Sequence, residues 1–215
     1  MHDRRPYQNL WKTLAADKAM VFVAGPRQAG KTTLARLIAG TFVNSVQVNW
    51  DIPTERARVT ADPTFFTSAP RRNDSPPLVV FDEIHKQRRW KAYLKGVYDG
   101  WARDYRFLVT GSRRLDLYQR GGDSLAGRYL LFHLWPFTLG ELVGGARGMS
   151  EFLRDPLRVS LDRRAERAET WDRLETLSGF PEPHLGGRAA SYRRWSAAYS
   201  RQLLREDIRD LAGIR

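Results

Sequence analysis

Three consecutive segments constrain this chain more than anything else in it. Ala19-Met20-Val21-Phe22-Val23-Ala24 is short, apolar and uncharged, as a buried strand is. Gly25-Pro26-Arg27-Gln28-Ala29-Gly30-Lys31-Thr32 follows and fits G-x-x-x-x-G-K-[ST], and Thr33-Leu34-Ala35-Arg36-Leu37-Ile38-Ala39 then carries helical spacing. Strand, glycine-rich turn and helix start, in that order, form the context of a phosphate-binding loop. Glycines let the backbone curl until successive N–H groups point into one anion-sized hollow, and the helix N-terminus adds its positive dipole end. Residues Gly25 to Thr33 are thus expected to frame phosphates, with Lys31 on the outer ones and the Thr32 hydroxyl on Mg²⁺.

A second element of the same chemistry lies about 50 residues further on. Leu78-Val79-Val80-Phe81 is an apolar strand that ends in Asp82-Glu83. The two acids suit different tasks: Asp82 holds the Mg²⁺ that also touches Thr32, and Glu83 orients and polarises an attacking water. Phe107-Leu108-Val109-Thr110 runs into Gly111-Ser112. If that strand lies between the other two, a hydroxyl at its tip faces the terminal phosphate; Thr110 and Ser112 are both candidates. Arg128, just before Tyr129, either neutralises charge near that phosphate or makes a structural ion pair. His85 and Lys86 either couple the acids to a partner or cap the helix that follows. The 4 histidines are too scattered to suggest a metal site.

The remaining pattern supplies the frame. Tyr7, Leu10, Trp11 and Leu14 predict a helix over 7–18, and Val46, Val48 and Trp50 alternate in a strand over 43–50. Residues 52–76 contain Pro53, Pro63, Pro70 and Pro76 and read as loop around one helical turn near 54–59. A strand over 78–81, a helix from Trp90 to Trp101, a strand over 107–110 and a strand over 129–134 follow. Short continuous apolar strands alternating with helices predict an α/β fold: a five-stranded, mostly parallel sheet covered by helices. Thr138-Leu139-Gly140-Glu141 has the form of a capping box. Amphipathic helices are expected over 161–177 and 192–211, separated by a break at 179–183. They would make a small C-terminal helical subdomain. The expected division is a nucleotide-binding core over 1–136 and a helical lid or connector over 137–215, with the chain stopping before a further domain.

Composition narrows the setting. With 215 residues the chain can hold one sizeable core and a small extra unit. It has no cysteine, which excludes disulfides and thiolate metal sites and fits a cytoplasmic protein. No apolar run is long enough to span a membrane. The net charge of +12 comes mostly from arginine and has no block of basic residues. It fits either a nucleic-acid partner or the plain consequence of an arginine-rich composition.

Several of these segments together resemble one family, the prokaryotic AAA+-like P-loop ATPases known as "ATP-binding protein", which usually carry a C-terminal domain of unknown function. The residues that carry the resemblance are those of the glycine-rich loop through Leu34, Asp82-Glu83-Ile84-His85-Lys86, and Trp90-Lys91 with Leu94-Lys95. Thr110-Gly111-Ser112, residues 123–129, Leu134, residues 136–139, Glu141-Leu142 and the tail from Gly179 are similar as well. The resemblance implies a P-loop NTPase core of the additional-strand, catalytic-glutamate class with a small helical lid. It further implies ATP as the nucleotide, sensor roles for Ser112 or Thr110, and phosphate sensing by Arg128. The leading expectation is an ATP-binding switch with Mg-dependent hydrolysis. The alternative is a non-hydrolysing nucleotide-binding module or scaffold, acting on a protein partner, on DNA or through self-association. A helicase would need a second lobe of similar size, and a small-molecule kinase would have little use for Glu83.

Overall fold

A computed structural model describes residues 2–111, 125–144, 153–157 and 163–204. The chain divides into two compact units, Met1–Trp135 and Pro136–Arg215.

The first unit is an α/β layer structure. Helix α1 (Arg5–Asp17) precedes strand β1 (Met20–Ala24), and helix α2 (Lys31–Ala39) leads to strand β2 (Ser45–Asn49). Helix α3 (Pro53–Ala61), strand β3 (Leu78–Asp82), helix α4 (Trp90–Trp101), strand β4 (Arg106–Thr110) and strand β5 (Tyr129–His133) complete it. The sheet order is β2-β3-β4-β1-β5, and every neighbouring pair is parallel. The strands expected to be continuous apolar runs, β1 and β3, are buried at every residue, as a sheet covered on both faces requires. Strand β2 alternates in burial because it is an edge.

The alternation of side chains along β1 feeds two cores. Met20, Phe22 and Ala24 face one, with Phe65, Phe66, Phe81, Leu94 and Phe107. Val21 and Val23 face the other, with Trp11, Leu34, Ile38, Val80 and Leu108. The proline-rich stretch departs from the loop reading. Pro53 opens α3, where its missing N–H costs nothing, and the helix runs nine residues to Ala61. Beyond it Phe65 and Phe66, each 1% exposed, insert into the core; the ring of Phe66 meets Phe65, Phe81, Trp101, Tyr105 and Phe107.

The second unit holds four described helices: α5 (Leu139–Val143), α6 (Arg164–Leu177), α7 (Pro181–Gly186) and α8 (Ala189–Gln202). Thr138 caps α5 by accepting the Glu141 N–H at 3.2 Å. The break expected at 179–183 is largely helical, since Pro181 and Pro183 sit in the first turn of α7, where proline is tolerated. Gly179 is required: a Cβ there would lie 2.3 Å from the Phe137 carbonyl oxygen. The amphipathic reading of α6 does not hold in the described residues. Ala165, Ala168 and Trp171 are exposed and only Leu177 is buried. In α8 the expected stripe exists as a half-buried stack, Trp195 on Tyr199 at 4.9 Å with Phe180 against both. Residues 205–211 of that expected helix, and Leu161, lie outside the described residues. No described helix is long and apolar enough to cross a membrane.

Candidate functional site

Parallel pairing brings the tips of four strands into one row. Val23 pairs with Thr110, Thr110 with Asp82, and Asp82 with Asn49. The strand carrying Thr110 lies between β1 and β3, the arrangement on which its assignment depended. In such sheets ligands gather at the carboxyl ends of the strands, where loops and helix starts converge.

Three residues of the loop take positive φ: Gly25 at 153°, Gln28 at 60° and Gly30 at 95°. Gly30 is the N-cap of α2, whose first residues, Lys31, Thr32 and Thr33, stand where the helix dipole is positive. Gly25 has no alternative, since an added Cβ would lie 2.2 Å from the Leu134 carbonyl oxygen. Arg27 and Pro26 are half-buried, Gln28 is exposed and Ala29 is buried, so the loop presents both a solvent side and a packed side. Lys31 is buried and folds back over the loop, donating to the carbonyls of Gly25 at 3.1 Å and Pro26 at 2.8 Å. Burial pushes its ammonium below the usual lysine range, while Glu83 and Asp82 pull it back up.

Asp82 is 5% exposed and accepts three side-chain hydrogen bonds. Thr32 Oγ1 donates to Oδ2 at 2.7 Å, Asn49 Nδ2 to Oδ2 at 3.1 Å, and the fully buried Thr110 hydroxyl to Oδ1. Thr32 and Asp82, 50 positions apart in sequence, are therefore direct neighbours. Glu83 turns out of β3 with φ at 58°, its N–H held by the Thr110 carbonyl at 3.1 Å. Burial raises its carboxyl, against the opposing pull of Lys31 and Lys86. His85 Nε2 lies 3.7 Å and Lys86 Nζ 3.5 Å from Glu83 Oε2, and Lys86 also pairs with Asp51 at 2.6 Å. Lys86 thus bridges two acids of its own chain.

One expected position falls elsewhere. Arg128 precedes β5, whose first residue pairs with Met20, so it sits at the amino edge of the sheet. The five residues of β5 put roughly 16 Å between that edge and the loop. There Arg128 forms a two-pronged pair with Asp99, Nε to Oδ1 at 2.7 Å and Nη2 to Oδ2 at 3.2 Å. A place beside the terminal phosphate of its own subunit is thus corrected to a structural ion pair. Ser112 lies outside the described residues, as do Asp123 and Ser124.

Residues that sequence reasoning missed are Asn49, at the tip of an alternating strand where only Val46, Val48 and Trp50 drew notice, and Asp51. Their sole signal is two polar residues at the end of a strand, which any turn shares. Among the described residues no group of three or more His, Cys, Asp or Glu could hold a metal ion by itself.

Comparison with known proteins agrees with this architecture. A family profile described as "AAA domain" matches residues 17–143. Uncharacterized proteins of Mycobacterium bovis and Mycobacterium tuberculosis are each 32% identical over 153 residues, which is 71% of this chain and 33% of theirs. The chain thus spans about a third of the length of the curated relatives it matches. The Walker-type ATPase PABY2304 of Pyrococcus abyssi has a similar fold, with a TM-score of 0.56 at 16% identity over 99% of this chain and 76% of that one. With a parallel sheet in this order, a glycine-rich loop leaving β1 and a family profile covering more than half its length, the chain belongs to the AAA domain family of P-loop ATPases.

Proposed function

We propose that the chain binds ATP at the loop 25–32 and hydrolyses it with Mg²⁺, as a switch whose nucleotide state a partner reads. The observation that carries this is the meeting of Lys31 and Thr32, beyond the tip of β1, with Asp82 and Glu83, at the tip of β3, on one end of the sheet with β4 between the two strands. The Thr32 and Asp82 oxygens, 2.7 Å apart and of the hard type that Mg²⁺ takes, fit the ion together with phosphate oxygens and water. When bound, the ion supplies neutralisation of the charge that builds on the β- and γ-phosphates.

The chain's own residues do the rest. The backbone N–H groups of residues 27–32 and the start of α2 bind the phosphates. Lys31 exchanges the carbonyls of Gly25 and Pro26 for phosphate oxygens, a trade of neutral acceptors for charged ones. Thr110 and Asn49 hold Asp82 in place. Glu83 accepts a proton from the attacking water as its oxygen bonds to the γ-phosphorus and the bridge to ADP breaks. The helical unit from Pro136 serves as lid or connector in this reading.

One observation favours a second reading, a holder of nucleotide with little turnover of its own. Glu83 is occupied by Lys86 and His85, so the base is restrained until something draws them away. Phosphate release from Mg·ATP, with and without DNA, separates the two. Turnover in the parent and none in Glu83→Gln, at equal ATP affinity, supports hydrolysis by Glu83. Tight binding with no turnover in either supports the holder. Equal turnover in both would remove Glu83 from the mechanism. The basic balance of the chain makes DNA the first partner to add, and stimulation by DNA should decline steeply with salt.

A further inference from the structure

Arg4 belongs to none of the motifs above, yet at 3% exposure it is more deeply buried than Lys31 at 6%. Its Nη1 donates to the Ala29 carbonyl of the phosphate loop at 3.1 Å, and its Nη2 to the Trp135 carbonyl beyond β5 at 2.6 Å. The guanidinium lies 4.9 Å over the ring of Tyr7, whose hydroxyl accepts the Trp135 N–H at 3.4 Å. Both backbone polar groups of Trp135 are thus held from the start of α1. Burying a charge is costly, and Arg4 also takes a left-handed φ of 52°. What a guanidinium offers in return is a rigid fork able to hold two carbonyls at once, which an ammonium point charge does not match.

The loop needs such a hold. In a planar trans peptide the carbonyl and the following N–H point to opposite sides. Fixing the Ala29 carbonyl on the packed side therefore turns the Gly30 N–H the other way, toward the hollow at the start of α2. Gly30, at φ 95°, supplies no steric preference against a flip of that peptide. At the loop's other end, Gly25 abuts the Leu134 carbonyl.

We propose that Arg4 is a positioning residue of the nucleotide site: its buried guanidinium ties the Ala29 carbonyl to the Trp135 carbonyl and so aims the Gly30 N–H at bound phosphate. This rests on the nucleotide-binding reading above, deepening it by one residue from outside the motif. The test uses the full chain with Arg4→Met, Arg4→Lys and Trp11→Leu, the last a core change on the same helix away from the loop. Mg·ATP and pyrophosphate are titrated calorimetrically, melting is recorded, and amide exchange over residues 25–32 is followed by mass spectrometry without ligand.

Both Arg4 variants should bind ATP about tenfold more weakly, the loss of one charge-assisted hydrogen bond. Loop amides should exchange faster in both, and lysine should not rescue. Trp11→Leu should melt at least as early with affinity within about twofold of the parent, which separates positioning from stability. Parent-like affinity in both Arg4 variants overturns the proposal, as does a loss that follows melting temperature across all three. If the parent binds no ATP, the nucleotide reading fails. The exchange data then decide alone, and loop protection in Arg4→Met equal to that in Trp11→Leu overturns the clamp.

Discussion

Replacing Gly25 by alanine tests the packing that holds the loop against β5. The new Cβ would lie 2.2 Å from the Leu134 carbonyl oxygen and 3.2 Å from its carbon, well inside the 3.4 Å at which ordinary contact begins. The obstacle is backbone, so no rotamer relieves it. The φ of 153° adds strain that a side chain brings and glycine does not. Relief requires moving the end of β5, where the Leu134 N–H donates to the Ala24 carbonyl at 2.8 Å and Arg4 holds Trp135. A lost backbone hydrogen bond costs about 1 kcal/mol, backbone strain about 1–3, and a weakened bond to a charged donor about 1.5. Together these destabilise by about 3.5–5.5 kcal/mol, a large part of the ~5–15 kcal/mol that holds a domain folded. Urea denaturation followed by tryptophan fluorescence reads this directly, with ATP titration on the folded fraction. Gly96→Ala is the control. Gly96 lies in α4 with nothing within 4 Å of an added Cβ, and alanine there should stabilise by about 0.5–1 kcal/mol. A Gly25→Ala protein within about 0.5 kcal/mol of the parent, with unchanged ATP affinity, would refute the close approach.

Three further outcomes are expected. Phe66→Ala, which empties a site walled by five aromatic neighbours, should cost about 3–5 kcal/mol in urea denaturation. Glu83→Gln should stabilise the nucleotide-free protein at neutral pH. The buried carboxyl has a folded value above its ordinary 4.5, so its contribution is present below that value and is lost as pH rises through the raised one. Melting temperatures of parent and variant should therefore converge below pH 4.5 and separate above it; a constant difference would contradict the burial. Arg128→Ala should leave the ATP affinity of the protomer unchanged, because the side chain is paired with Asp99 at the far edge of the sheet; weaker binding would return Arg128 to the site.

What was legible in the sequence is what local chemistry writes into short segments. Continuous apolar runs ending in Asp82 or in Gly25 announce buried strands, and two of the loop's three positive-φ positions, 25 and 30, are glycine. Sheet order followed only as a condition on β4, since nothing local says which strand lies between which. Arg128 shows the limit of spacing: a residue one position before a strand reads the same whichever edge it occupies, and the pairing of Tyr129 with Met20 put it at the edge away from the loop. Phe65 and Phe66 were hidden by the prolines around them, although two adjacent aromatics in a polar stretch are a signal of burial. Asn49 and Arg4 could not have been singled out. Their roles come from partners 33, 25 and 131 positions away, set by the sheet and not by neighbours in the chain.

The central claim is that the curled backbone between β1 and α2 grips the phosphates of a nucleotide, with Lys31 as its charged contact. Calorimetric titration of Mg·ATP into the parent and into Lys31→Ala, both checked for folding by melting, addresses it most directly. The account predicts one site per chain in the parent and affinity lower by at least about a hundredfold in Lys31→Ala, the loss of a charged phosphate contact worth ~3 kcal/mol. Equal affinity in the two proteins, or a folded parent that binds no ATP, would contradict it.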